Sequence, residues 1–301
     1  MDHQVTRRRP VRFGLVGAGP WAQAVHAPAI VAHPDTELVA VWARRPAAAG
    51  ELADTHGARV ADDPAALFAS VDAVAFAVPP DVQADLAGAA AQAGRHLVLD
   101  KPIGASVAEA ERLAGAVGDA GVASLVFLTS RYAPAVTEWI TAAAASRWAA
   151  GTATWVGGAL LSGPYSHSPW RHSRGAVVDI GPHVFDLLEA GLGPVADVVG
   201  ATRGEHDVWQ VLFAHESGAR SAATLSIGLP VEPTVIDLSL YGTTGRLPLP
   251  ESRASSVDCY RNLLDELVGM IDAGRTEHPL DVWRGLRLHR LIERVEGLAV
   301  P

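Results

Sequence analysis

The sequence predicts an α/β chain: a doubly wound parallel sheet over residues 1–128, then an α+β domain over 129–301 built on an open, mostly antiparallel sheet. Three observations predict it. Short apolar, β-branched runs alternate with alanine-rich segments of helical period from residue 11 to 128, the pattern of successive βα units. Those runs lack the polar alternation of half-exposed strands, so they suit strands buried on both faces. Beyond 129 the runs are instead separated by hairpin signals, as in HESGAR and GTTGR.

In order, the strand candidates of the first domain are VRFGLVG (11–17), ELVAVWA (37–43), VDAVAFAV (71–78), RHLVLD (95–100) and ASLVFL (123–128). Helices are expected from near Trp21, Pro46, Asp81 and Ser106. The second domain opens with a helix over 133–146 and the run WAAGTATWVGGALL, followed by a loop over 162–175 and a helix opening at Asp179. Then come VADVVGATR, DVWQVLFAH, ARSAATLSIG and TVIDLSLYG as strands, and two amphipathic helices over 257–273 and 280–298, the first ending at Gly274.

Composition narrows the function. The chain of 301 residues carries 24 Lys and Arg against 33 Asp and Glu, a formal charge of -9. That balance repels nucleic acid and anionic membrane surfaces, both of which are bound largely by neutralising phosphate. No apolar run approaches the roughly 20 residues needed to span a bilayer. The segment Arg7–Arg9 leads straight into a strand pattern without the apolar stretch of an export signal. Cys259 is the sole cysteine, so no intrachain disulfide forms, and a cytoplasmic location is the expectation.

The first strand ends in LVGAGPWA, which places Gly17, Gly19 and Ala22 in a GxGxxA pattern at the opening of a helix. The first glycine permits a tight turn, the second lets backbone approach a pyrophosphate, and the small third residue lets helix and strand pack closely. Pro20 and Trp21 complete that candidate cofactor loop. A site for NAD places Asp or Glu on the ribose hydroxyls about 20 residues further on. Here Arg44 and Arg45 stand instead. Either they pair with a 2′-phosphate and stack on adenine, which favours NADP(H) over NAD(H), or they are solvated charges of a βα loop.

The run VPPDVQADLAGAAAQAGRHLVLDKPIG, 78–104, resembles the glucose-fructose oxidoreductase, inositol dehydrogenase and rhizopine catabolism (Gfo/Idh/MocA) family, in which a Pro-containing turn, a helix, AGxH and a strand ending in EKP follow one another. SPWRHSRGAVVDIGPHVFDL, 168–187, looks like the family's second signature, a WR pair followed by DxGxHxxD, and 260–282 extends the similarity. The resemblance implies a Rossmann domain followed by an open sheet whose outer face makes homodimers or homotetramers, and an NAD(P)-dependent dehydrogenase or reductase. It implies catalytic roles for Lys101, Asp179 and His183. Val78, Pro79, Pro80, Gln83, Asp100, Lys101 and Pro102 are candidate cofactor contacts, and Trp170 and Arg171, on the loop feeding the Asp179 helix, either close over the cofactor or a carboxylated substrate or simply pack that loop. Asp100 replaces the family's usual Glu, Gln83 stands where relatives often carry His, and Arg174–Ala176 replaces a run of glycines.

These residue types suit hydride transfer at a carbonyl carbon, which must be matched by proton transfer at its oxygen; a lysine held nearby can serve as that acid or base. Four residues apart, Asp179 and His183 share one helical face, where His183 can hold the substrate oxygen and Asp179 can anchor a hydroxyl or orient the imidazole. Without the resemblance, Lys101-Pro102 reads as a surface turn and Asp179 as an N-cap above a satisfied histidine. Tyr165, His167 and His172 are candidate substrate contacts, with Lys101, Asp179 and His183. The spacing of His167, His172 and His183 matches no usual zinc pattern, so no metal is expected. The expected substrate is a sugar, polyol, keto-sugar or other small carbonyl or imine. The alternatives are a non-redox sensor or scaffold, or an enzyme that uses its nicotinamide transiently for elimination or hydrolysis.

Overall fold

A computed structural model describes residues 9–163 and 166–300. They form two compact units: the described residues through Phe127 together with Ser255–Trp283, and Leu128–Ala254 together with the chain from Arg284 onward.

The first unit is a six-stranded sheet of β1 (Val11–Val16), β2 (Thr36–Trp42), β3 (Arg59–Val60), β4 (Ala73–Phe76), β5 (His96–Leu99) and β6 (Ser124–Val126), in the order β3-β2-β1-β4-β5-β6. Every pairing is parallel. Phe13, Leu15, Val74, Phe76, Leu97, Leu99 and Leu125 are all fully buried, as expected of strands covered on both faces. Strand order reverses between β1 and β4, the point outside whose carboxyl ends such sheets bind ligands.

Covering helices are α1 (Ala27–Ala32), entered through a π-helical turn at Ala22–His26, α2 (Pro46–His56), α3 (Pro64–Ala69), α4 (Pro80–Gln92) and α5 (Val107–Ala120). Their ends follow local rules. Prolines open α2, α3 and α4, the Ser106 hydroxyl accepts the Glu109 amide at the start of α5, and left-handed Gly57 and Gly121 close α2 and α5. The short β3 and α3 were absent from the sequence expectation, because Arg59 and Val60 are both exposed and carry no apolar run.

The second unit holds α6 (Pro134–Ala144), β7 (Trp148–Val156), α7 (Pro169–Asp179), α8 (Gly181–Leu192), β8 (Val195–Arg203), β9 (Trp209–His215), β10 (Arg220–Ser226), β11 (Val235–Gly242) and β12 (Gly245–Pro248). The terminal elements are α9 (Ser256–Asp272), which packs on α1 and β6 of the first unit, α10 (Val282–Leu298), and β13 (Ala299–Val300). The second sheet runs β12-β11-β7-β10-β9-β8-β13 and is mostly antiparallel, as expected. Two of its pairings, β7 with β10 and β8 with β13, are parallel. A long crossover through α7, α8, β8 and β9 separates β7 from β10, so no hairpin constrains their direction.

One boundary differs from expectation. The helix read as opening at Asp179 begins at Pro169, breaks at Gly175 (φ 73°, ψ -167°) and ends its first part at Asp179, with Pro182 in the first turn of α8. The polar run WRHSR hides this start, because it lacks an apolar period. Among the described residues no helix is long and apolar enough to cross a membrane.

Candidate functional site

Val16 ends β1, and the chain turns at Gly17 with φ 117°, its amide donating to the Trp42 carbonyl at 2.8 Å. A Cβ on Gly17 would lie 2.3 Å from the Ala77 carbonyl oxygen, so only glycine fits between β1 and β4. At Gly19 a Cβ would meet nothing within 4 Å: here the backbone faces open space. That space is a cavity of ≈ 410 Å³ at the switch point, lined by Gly17, Gly19, Arg44, Arg45, Val78 and Pro79. Ala22 is fully buried, as the close packing of helix on strand requires. Exposed backbone at a helix N-terminus, flanked by two solvent-facing guanidiniums, fits a dinucleotide's phosphates. Trp21 turns inward and stacks on Phe127 (centroids 6.2 Å apart), and Pro80 is buried in the first turn of α4.

A buried amide fixes the turn after β5. Gln83, fully buried on α4, donates through Nε2 to the carbonyls of Asp100 (2.8 Å) and Pro102 (3.3 Å), while its Oε1 accepts the Asp100 amide at 2.8 Å. The Asp100 carboxylate accepts the Lys101 amide at 2.8 Å. Lys101 is half-buried there, and the peptide to buried Pro102 is cis. Gln83, expected at the cofactor, thus spends both ends of its amide on the backbone that presents Lys101.

In the second unit, Asp179 and His183 are brought together on consecutive turns, 6% and 7% exposed. The Arg171 guanidinium donates to the Asp179 carboxylate at 3.1 Å and lies over the Trp170 ring at 4.4 Å. The imidazole of His183 stacks on Trp155 of β7 (5.5 Å, 28°). One turn further along α8, fully buried Asp186 accepts from Arg131 (2.8 Å) and Arg284 (2.6 Å), and Glu189 binds Arg284 and Arg287. Burial opposes the Glu189 charge, yet the Arg287 hydrogen bond, the Arg284 charge and the Val195 amide hold its carboxyl below the usual range. This network ties the helix bearing His183 to α10.

His167 and His172 are exposed, and the His172 Nε2 meets the Ser166 carbonyl; Tyr165 lies outside the described residues. Among the described residues no group of three or more His, Cys, Asp or Glu side chains could hold a metal ion. Sequence reading missed the Trp155 platform and the Gln83 brace. The first had no local signal, since 28 residues separate Trp155 from His183. The second had one: a lone glutamine in the alanine-rich apolar face of α4.

A glycine cradle at the switch point of a 3-2-1-4-5-6 parallel sheet defines a dinucleotide-binding protein. Residues 11–127 match the model of the oxidoreductase family with an NAD-binding Rossmann fold, the Gfo/Idh/MocA group that the sequence resembles. The inositol 2-dehydrogenase of Rhizobium meliloti is 36% identical over 125 residues, 41% of this chain and 38% of that protein. The chain thus matches little more than a third of that relative's length. A dTDP-3,4-didehydro-2,6-dideoxy-alpha-D-glucose 3-reductase of Streptomyces antibioticus is 27% identical across 96% of this chain and 97% of its own. A 3-ketoreductase from Actinomadura kijaniata, solved with TDP-benzene and NADP, superposes with a TM-score of 0.80 over 97% of this chain and 98% of that one; at 22% identity the likeness is one of fold.

Proposed function

We propose that the chain is a nicotinamide-dependent dehydrogenase or reductase that prefers NADP(H) to NAD(H) and acts on a sugar, polyol, keto-sugar or related small carbonyl or imine. The observation that carries this is the cavity in which two glycines expose backbone beside Arg44 and Arg45, with no carboxylate among its lining residues. Those residues would hold a nicotinamide nucleotide, which would supply or accept the hydride when bound. Lys101, braced through Gln83, holds the substrate oxygen and gives or takes its proton. His183 shares that oxygen or relays its proton, and Asp179 anchors a neighbouring hydroxyl. Val78, Pro79, Asp100 and Pro102 shape the cofactor's surroundings, while Trp170 and Arg171 close over cofactor or substrate. Arg171 also compensates the Asp179 charge. The relatives' names, an inositol dehydrogenase and a 3-reductase of a didehydro sugar, support a ring polyol or keto-sugar.

The test is absorbance at 340 nm, with myo-inositol and a panel of aldoses and keto-sugars against each oxidised and reduced cofactor. A net change, faster with the phosphorylated cofactor, is expected. Tight cofactor binding with no net change for any substrate would overturn the reading in favour of a sensor or a transient use of nicotinamide.

The same proposal includes a cytoplasmic homodimer or homotetramer assembled through the second sheet. Its support is the outward row Thr152, Ala222 and Leu212, with Val199 exposed beside it at the β8 bulge; Leu212 and Val199 are 52% and 58% exposed. Light scattering should give two or four chain masses, and Leu212→Lys should shift it to one.

A further inference from the structure

The break at Gly175 is held from outside its own helix. Helical hydrogen bonding stops there and resumes at Ala176, whose carbonyl accepts the Ile180 amide at 2.8 Å. An amide at the start of a helical stretch has no carbonyl a turn earlier to bind. The Ala176 amide donates instead to the carboxylate of Asp207, which comes from the turn between β8 and β9. The other oxygen of that carboxylate accepts from Arg203 Nε and Trp209 Nε1, both at 2.9 Å.

Three independent features converge on this contact. Both His206 and Asp207 are left-handed non-glycine residues, with φ 54° and 55°, a conformation that persists only where surroundings enforce it. The buried Ser226 hydroxyl supplies part of that enforcement by donating to the His206 carbonyl at 2.9 Å. On the facing side, a Cβ at Gly175 would stand 2.5 and 2.7 Å from the two carboxylate oxygens, so the helix can approach Asp207 only through a glycine. A hairpin turn with an unfavourable backbone and a helix with an obligatory glycine thus meet at one carboxylate.

We infer that Asp207 is a positioning residue for Asp179 and His183. Its carboxylate fixes Ala176 as the first amide of the stretch that carries both, three and seven residues on. Each residue of a helix turns about 100°, so a start displaced by one residue swings both side chains away from their present direction. The Arg171–Asp179 ion pair spans the same break, so the angle at Gly175 also sets that contact. The functional meaning of the inference rests on the catalytic reading of Asp179 and His183.

The test uses the full chain and the ring 1H–13C signal of His183, identified by its loss in His183→Gln. His215 serves as an internal reference: it is buried in β9 and bound to the Gly193 carbonyl and the Ser221 hydroxyl, well outside the contact. Asp207→Ala should displace the His183 signal and leave that of His215 in place. Asp207→Asn keeps one acceptor for the Ala176 amide and tolerates the left-handed backbone but turns its NH2 towards the Arg203 and Trp209 donors, so it should displace the His183 signal less than alanine does. Should Asp207→Ala not fold, Gly175→Ala carries the test from the other side of the contact, with the same displacement expected. An unmoved His183 signal in Asp207→Ala, or an equal displacement of His215, would overturn the inference. Turnover of His183→Gln separates the two claims: retained turnover removes the catalytic reading and leaves the positioning of the helix untouched.

Discussion

Replacing Gln83 with leucine puts an apolar side chain of similar size in a fully buried position and removes three hydrogen bonds, two at 2.8 Å and one at 3.3 Å. The Asp100 amide and two carbonyls then lose a side-chain partner that water cannot readily replace. Leaving one buried polar group unsatisfied costs about 1–3 kcal/mol, and carbonyls with a second lone pair suffer less. The expected loss is therefore roughly 2–4 kcal/mol, read as a lower urea midpoint with an unchanged slope. Because the lost contacts hold the turn that presents Lys101, kcat should fall more than cofactor affinity does. Gln83→Glu keeps the acceptor for the Asp100 amide but sets a carboxylate against two carbonyls, and should be no better than leucine. A Gln83→Leu protein as stable as the parent, with unchanged kcat, would refute the bracing role.

Arg44→Ser with Arg45→Ser should lower kcat/KM for NADPH at least about tenfold, since each charge-assisted contact is worth about 1.5–3 kcal/mol, and barely alter the value for NADH. Gly17→Ala should weaken binding of either dinucleotide, measured by titration calorimetry, because its Cβ collides with the Ala77 carbonyl and φ 117° is unsuited to alanine. His26 is wholly buried among Trp21, Phe127 and Tyr260, and burial lowers its pKa from 6.5 to about 3. The unfolded chain therefore binds the extra proton. The contribution to stability is complete above pH 6.5 and lost as pH falls towards 3, at about 1.4 kcal/mol per pH unit. Urea unfolding of His26→Phe between pH 6 and 4 should show a slope shallower by that amount; an unchanged slope counts against a neutral buried ring. Asp186→Leu strands the Arg131 guanidinium and leaves Arg284 only Glu189 of its two carboxylates, and should cost about 3–5 kcal/mol, measured by thermal unfolding.

Much of this was legible in the sequence because it is written locally. The strands of the first sheet are continuous apolar runs, the helix ends carry their own Ser, Pro and Gly signals, and the glycine loop follows directly from the strand it terminates. The parts that were not legible depend on partners distant in the chain. Nothing near Trp155 announces His183 as its neighbour, and nothing near Asp207 announces Gly175. The start of α7 was misplaced because the Arg, His and Ser residues of its first turns lack an apolar face, so it is marked mainly by Pro169. The grouping of Ser255–Trp283 with the first unit was equally hidden: α9 shows a clear apolar face of Tyr260, Leu263, Leu264 and Leu267, but amphipathicity does not say which surface receives it.

The central claim is that Lys101 handles the proton of the substrate while the glycine cradle independently holds the cofactor. Lys101→Met, with NADPH affinity and steady-state turnover measured on the same preparation, tests it most directly. The account predicts that turnover at 340 nm is abolished while the Kd for NADPH stays within about threefold, because Lys101 is not among the residues lining the cavity at Gly17 and Gly19. Turnover retained at near the parent rate, or cofactor affinity lost together with it, would contradict that division of labour.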